Sequence, residues 1–99
     1  MKFLHTMVRV KDIEKSLAFY TDVLNMKLDH KKRLEDCWLY FLTDEENTCQ
    51  IELTYNDETP EGGYELGSGF GHFAFSVDSL DEFTDKINKL GYSYLYPPF

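Results

Sequence analysis

Two histidines of this 99-residue chain lie at matched places in a pattern, and a glutamate joins them as a candidate ligand of a divalent cation. His5 and His72 each open a short apolar segment that ends in Val, and Glu52 lies in the alternating segment at residues 48–55. Imidazole nitrogens and carboxylate oxygens together form a common ligand set for divalent metals. A lone His or Glu is usually a structural or solvated residue, so the combination is what predicts a metal site.

The two histidines belong to an internal repeat. A shift of 67 residues places His5 on His72 and Val10 on Val77, and an amphipathic helix follows each segment at once. The first copy predicts four strands and one helix, a β-α-β-β-β unit that ends near residue 56. The chain stops before the second copy is complete, so we expect that copy to lack its last two strands.

Local patterns predict where these elements lie. Asp12 and Ser79 are the predicted helix caps, and Asn25 and Gly91 are the predicted helix stops. The predicted helices cover residues 12–24 and 79–90, and the predicted strands cover 3–10, 26 onward, 37–43, 48–55, 72–77 and 92–96. Five of the six glycines lie within residues 57–71, which predicts one domain with a first module (1–56), a linker (57–70) and a partial second module (71–99).

Alternation along a strand predicts which side chains share a face. His5 and Arg9 lie on one face of the first strand, and Glu52 and Asn56 lie on one face of the fourth. The opposite faces of both strands are apolar and suit a covering helix. We therefore expect His5 and Glu52 to point into one pocket on the helix-free side. His30 has no counterpart in the repeat and is predicted to be a surface residue.

Charge and composition exclude several classes of partner. Ten Lys and Arg against 18 Asp and Glu give a net charge of −8, which repels phosphate backbones and anionic lipid. Neither nucleic acid nor a membrane surface is therefore an expected partner. No apolar run approaches the ~20 residues of a spanning helix or forms a secretory signal, so a cytoplasmic protein is expected. Cys37 and Cys49 lack zinc-site spacing and are expected to be free thiols.

Several segments resemble the glyoxalase I (lactoylglutathione lyase) family in its short bacterial form, within the vicinal-oxygen-chelate superfamily. They are LHTMVRV at residues 4–10, SLAFY at 16–20, LNMKL at 24–28, IELTYN at 51–56, YELG at 64–67 and GHFAFSV at 71–77. The resemblance extends over essentially the whole chain. It implies an α+β fold of paired β-α-β-β-β modules, of which the second is truncated here.

The resemblance also implies roles for single residues. His5 and Glu52 match the metal ligands of the family's first module, and His72 matches the His of the second. Arg9 and Asn56 match residues that hold glutathione. The family's fourth ligand, a Glu that also transfers the proton, has no counterpart before the last residue. Glu52 is therefore the candidate catalytic carboxylate, and we expect impaired activity.

The implied reaction converts the hemithioacetal of methylglyoxal and glutathione into S-lactoylglutathione. Nickel or cobalt is the favoured metal, with zinc possible, and the implied assembly is a homodimer with a shared active site. Two alternatives stay open at this point. Two His and one Glu also form the ligand triad of iron(II) dioxygenases and related epimerases, which the glutathione-type pair Arg9 and Asn56 disfavours. The missing terminal carboxylate would suit a non-catalytic binding or assembly module.

Overall fold

The computed structural model describes residues 1–97, and the chain forms two compact units, the second of which begins at Gly67. The first unit holds a four-stranded sheet and one helix. Its elements are β1 (His5–Arg9), α1 (Ile13–Ala18), a π-helical turn (Phe19–Val23), β2 (Lys27–Arg33), β3 (Cys37–Thr43) and β4 (Gln50–Asn56). The second unit holds helix α2 (Leu80–Lys89). No helix within residues 1–97 is long and apolar enough to cross a membrane.

The sheet has the strand order β1-β4-β3-β2, so β4 lies between two neighbours. It runs parallel to β1 and antiparallel to β3. Glu52 is paired with Met7 on one side and with Phe41 on the other. Because directly paired residues share a face of a sheet, these three side chains lie on the same side.

The opposite side of the sheet carries the core. Leu42 is paired with Ile51, and Leu53 with Tyr40, so all four share this face. Leu42 and Leu53 have no exposed surface, and Ile51 is buried. The start of α1 lines one cleft together with Tyr55, which shares the face of Ile51 and Leu53. The start of α1 therefore lies on the apolar side, opposite the side that carries Glu52, as the alternation predicts.

Helix α1 begins as its sequence predicts, and the predicted end near residue 24 is reached only through the π-helical turn that follows it. The Asp12 carboxylate accepts a hydrogen bond from the Lys15 backbone N–H at 3.0 Å. Asn25, just past the helical segment, takes a left-handed φ of 55°, which an Asn tolerates better than most residues. The last turn widens into the π-helical turn, where the Leu24 N–H reaches the Phe19 carbonyl at 3.3 Å. The apolar spacing does not predict that widening.

Helix α2 follows the same rules in the second unit. The Ser79 hydroxyl accepts from the Glu82 N–H at 3.2 Å, and Gly91 ends the helix with a φ of 90°. The predicted strands at residues 72–77 and 92–96 are wrong, because neither segment is a strand. A strand exists only where a neighbour satisfies its backbone groups, and no segment of the described chain pairs with either.

Candidate metal and substrate site

His5 and Glu52 are in contact across the β1–β4 pair. The His5 Nε2 lies 3.1 Å from the Glu52 Oε1, and the two side chains are 38% and 12% exposed. Both lie on the helix-free face, so the prediction that they share one face is confirmed. A largely shielded carboxylate beside a more accessible imidazole is an arrangement that two ligands of one ion can adopt.

Thr54 holds the other oxygen of the same carboxylate. Its hydroxyl donates to the Glu52 Oε2 at 3.1 Å, and Thr54 itself is buried. One oxygen therefore faces His5 while its partner is fixed from behind, which orients the carboxylate without consuming its remaining lone pairs. Sequence reasoning did not single out Thr54. The signal was present, since Thr54 follows Glu52 by two residues and must share its face.

Phe41 shields the imidazole from a third strand. Its ring lies edge-on to the His5 ring, with centroids 5.7 Å apart, and it is paired directly with Glu52. Its ring also stacks on His30 at 4.4 Å. His30 is exposed and contacts Asp29, so the prediction of a surface residue is confirmed. Sequence reasoning missed Phe41, because only the register of β3 on β4 places it beside the site.

Arg9 and Asn56 lie further along the same face. Arg9 is exposed and pairs in register with Thr54, and Asn56 is the last residue of β4. Asn56 is four positions beyond Glu52, which on an extended strand is a separation of about 13 Å. A ligand that reaches from the His5–Glu52 pair to Asn56 must therefore have the length of a short peptide.

The Asn56 amide has a partner of its own. Its Nδ2 donates to the Tyr64 hydroxyl oxygen at 2.7 Å, and both residues are half-buried. Tyr64 follows the strand by eight residues, within the stretch predicted as a linker, and it belongs to the first unit. Neither periodicity nor spacing identifies this contact, because it depends on how the intervening loop turns.

His72 belongs to the second unit, where it is exposed and outside any strand. Among residues 1–97, no three His, Cys, Asp or Glu side chains form a group that could hold a metal ion. The contact of His5 with Glu52 thus provides one nitrogen and one oxygen donor, which fit part of a divalent cation's ligand set. The wider set with His72 stays a prediction.

The cysteines take no part in this donor set. Cys37 and Cys49 are free thiols, as predicted. Burial, and secondarily the neighbouring Asp36 carboxylate, raise the pKa of the Cys37 thiol. The thiol therefore stays protonated at neutral pH, which makes it a poor metal ligand and a poor nucleophile.

Comparison with known proteins identifies the family. The model of the Glyoxalase/Bleomycin resistance protein/Dioxygenase superfamily matches residues 2–99. The chain belongs to this superfamily. It is 42% identical over 96 residues to a probable lactoylglutathione lyase of Synechocystis sp., covering 92% of this chain and 71% of that protein. The lactoylglutathione lyase of Escherichia coli O157:H7 is also 42% identical over 96 residues, with 92% and 69% covered.

The same superfamily appears among solved structures. The trypanothione-dependent glyoxalase I of Leishmania major superposes with a TM-score of 0.83 at 30% identity, covering 100% of this chain and 73% of that one. The glyoxalase resemblance and the α+β fold class are thereby confirmed. These superfamily relatives favour an enzyme of the glyoxalase I type over a dioxygenase, an epimerase or a non-catalytic module.

Proposed function

We propose that this chain is a metal-dependent lactoylglutathione lyase, which isomerises the hemithioacetal of methylglyoxal and glutathione to S-lactoylglutathione. The observation that carries the proposal is the contact of His5 with Glu52 on the helix-free face of the sheet. The similarity to lactoylglutathione lyases over 92% of the chain supports it.

His5 and Glu52 are the proposed ligands of the ion in the first unit, through Nε2 and a carboxylate oxygen. When bound, a divalent ion would draw negative charge away from the oxygens of the substrate. Nickel or cobalt is the proposed metal, on the strength of the resemblance to the short bacterial form, and zinc is the second choice. A donor set of imidazole and carboxylate without thiolate accommodates all three.

The remaining donors are proposed to come through a homodimer, with His72 of one protomer approaching the β1–β4 pair of the other. In support, β1 is an edge strand of the four-stranded sheet, and within residues 1–97 its one strand neighbour is β4. An unpaired edge presents backbone donors and acceptors that another chain can satisfy.

Glu52 is the proposed proton carrier. The reaction takes a proton from the hemithioacetal carbon, and the freed electron pair forms a carbon–carbon double bond while the adjacent carbonyl pair moves onto its oxygen. A proton then returns to the neighbouring carbon, and the hydroxyl proton passes from the first oxygen to the second as the thioester carbonyl forms. The Glu52 carboxylate can accept the first proton and donate it back, so no outside oxidant or reductant is needed. The Thr54 hydroxyl on Oε2 keeps the carboxylate in one orientation throughout.

Arg9 and Asn56 are the proposed contacts of the glutathione moiety. A guanidinium pairs with carboxylates, of which the tripeptide has two, and an amide side chain exchanges hydrogen bonds with peptide groups. Their distance from Glu52 along the strands suits a thiol tripeptide whose sulfur substituent reaches the metal ligands. We propose a cytoplasmic location, which the free thiols Cys37 and Cys49 support.

The test uses the full chain loaded with nickel, cobalt or zinc and follows formation of the thioester product. Glu52→Gln should lower turnover by about 10²–10⁴, the range for a positioned acid–base group. Glu46→Gln is the matched control, because this carboxylate is exposed in the turn between β3 and β4. A metal-loaded chain without turnover, or a Glu52→Gln variant as active as the parent, would contradict the proposal.

A further inference from the structure

We infer that Tyr64 is a positioning residue that fixes the Asn56 amide for the thiol substrate, an inference that rests on the proposed function. The Tyr64 hydroxyl oxygen accepts from the Asn56 Nδ2 at 2.7 Å. In this contact the Nδ2 end of the amide faces the tyrosine, and the carbonyl oxygen Oδ1 is the other end.

The loop between the two residues is built to bring them together. The Gly63 N–H donates to the Pro60 carbonyl at 2.9 Å, which closes a turn. Gly62 and Gly63 have φ values of 81° and 92°, a left-handed conformation that side chains rarely adopt. Two successive left-handed residues reverse the chain, and Tyr64 comes directly after them with its ring directed back to the end of β4.

A second contact holds the same loop to the first strand's end. A Cβ added at Gly63 would lie 3.2 Å from the Lys11 Cδ, so the loop backbone packs closely on the Lys11 side chain. Lys11 comes two residues after Arg9. The loop therefore packs on the segment next to Arg9, one proposed substrate contact. Its Tyr64 bonds Asn56, the other proposed contact.

The chemical consequence is a restrained amide. An unrestrained Asn side chain can present either end of its amide, and a ligand that needs an acceptor must select one orientation on binding. Glutathione has two peptide N–H groups and an ammonium, all of which need acceptors. In the arrangement of the structure the Nδ2 donates to the Tyr64 hydroxyl, so the Asn56 Oδ1 is the end left to accept from the tripeptide.

The test is Tyr64→Phe, which removes one hydroxyl and keeps the ring. The probe is S-methylglutathione, which has the tripeptide and lacks the reacting carbons, titrated calorimetrically into the metal-loaded chain. We expect its Kd, and the KM of the hemithioacetal, to rise about threefold to tenfold, the effect of one hydrogen bond. The kcat and the metal affinity should stay as in the parent, because the Tyr64 hydroxyl bonds Asn56, four positions beyond Glu52 on β4.

Tyr94→Phe is the matched control. It also removes one tyrosine hydroxyl bond, the 2.8 Å contact with the Thr84 hydroxyl in the second unit. We expect this variant to bind the probe as the parent does. In the Asn56→Ala background, Tyr64→Phe should have no further effect on the Kd, since its target is gone.

A spectroscopic readout separates this inference from the proposed function. The side-chain ¹H–¹⁵N signals of Asn56 should shift in Tyr64→Phe without any ligand. An unchanged Asn56 amide signal, or a normal Kd in Tyr64→Phe when Asn56→Ala is impaired, overturns the inference and leaves the function standing. A parent chain that binds no S-methylglutathione refutes the proposed function, and the substrate role of Tyr64 with it.

Discussion

The two units of this molecule contain nearly the same local pattern and differ in what it becomes. In the first unit, the segment that opens with His5 is a strand hydrogen-bonded to β4. In the second, residues 72–77 repeat the alternation but form no strand. Both segments are followed by a helix with a side-chain cap, Asp12 or Ser79. A helix satisfies its backbone internally and so follows from local sequence, whereas a strand needs a partner.

The difference decides where a site can form. His5 is held against Glu52 because two paired strands fix both backbones. His72 has the same residue type at the matched place of the repeat, without paired strands to hold it. A chemically suitable side chain thus becomes part of a preorganised site only when its strand has a neighbour.

The largest effect should appear in amide hydrogen exchange. β4 has a neighbour on each side, so its amides should open only with global unfolding of the first unit. Residues 72–77 should exchange at least about a thousandfold faster, because no ladder protects them. Measurement at several protein concentrations sharpens the comparison. Protection of 72–77 equal to that of β4 at low concentration would contradict it.

The next largest difference between the two units should be in the stability lost when a side chain is shortened. Leu53→Ala empties a position with no exposed surface and should destabilise the first unit by about 2–5 kcal/mol. Val77→Ala, in the unpaired segment, should stay within about 0.5 kcal/mol, because Val77 is 45% exposed. Urea unfolding followed by Trp38 fluorescence measures the first change, and far-ultraviolet circular dichroism, which also reports helix α2, measures the second. Equal losses would show that residues 72–77 are packed as firmly as β4.

Removal of the side-chain helix cap should cost a similar amount of stability in the two units. Asp12→Ala and Ser79→Ala each remove a side-chain acceptor for a backbone N–H of the first turn, at a cost of about 1 kcal/mol. Asp12→Asn and Ser79→Asp keep an acceptor and are the controls. Far-ultraviolet circular dichroism during urea unfolding reports the change. A cap loss confined to one unit would mean that helices here also depend on distant packing.

The smallest expected effect is on the stability of the first unit at low pH. The Arg33 guanidinium hydrogen-bonded to Asp57 lowers the pKa of that carboxyl, and the Thr48 hydroxyl lowers the pKa of Asp44. Because both folded pKa values lie below the unfolded ones, their stabilisation is present above a pH of about 4 and is lost as the pH falls through the folded values. Asp57→Asn should therefore lose less stability between neutral pH and pH ~3 than the parent. Urea midpoints across this range provide the measurement, and identical losses would exclude a role for the ion pair.

Periodicity was sufficient to predict the faces of the strands and the extent of the helical segment of the first unit, but not its change to a π-helical turn after Ala18. The contact of His5 with Glu52 follows from alternation alone once β1 and β4 are neighbours. Register is not local, so the sequence did not place Phe41 opposite Glu52.

Loop geometry and strand partners could not be predicted from the sequence pattern either. Tyr64 reaches Asn56 through two left-handed glycines, which a glycine count identifies only as a flexible stretch. The strand predicted at 72–77 was wrong for a related reason, since alternation states a preference and cannot supply the neighbouring strand.

The parallel pairing of β1 with β4 has a consequence for how the site comes into being. Short turns join β2 to β3 and β3 to β4, so these antiparallel pairs close small loops, whereas β1 must cross 40 residues between its last residue and the first of β4. Distant pairings form late in folding. A chain that has folded only its hairpins holds Glu52 without His5. The contact of His5 with Glu52 therefore forms only when the first unit is complete. A ligand that binds both side chains holds the amino-terminal strand, which is the last strand to pair and the first to separate.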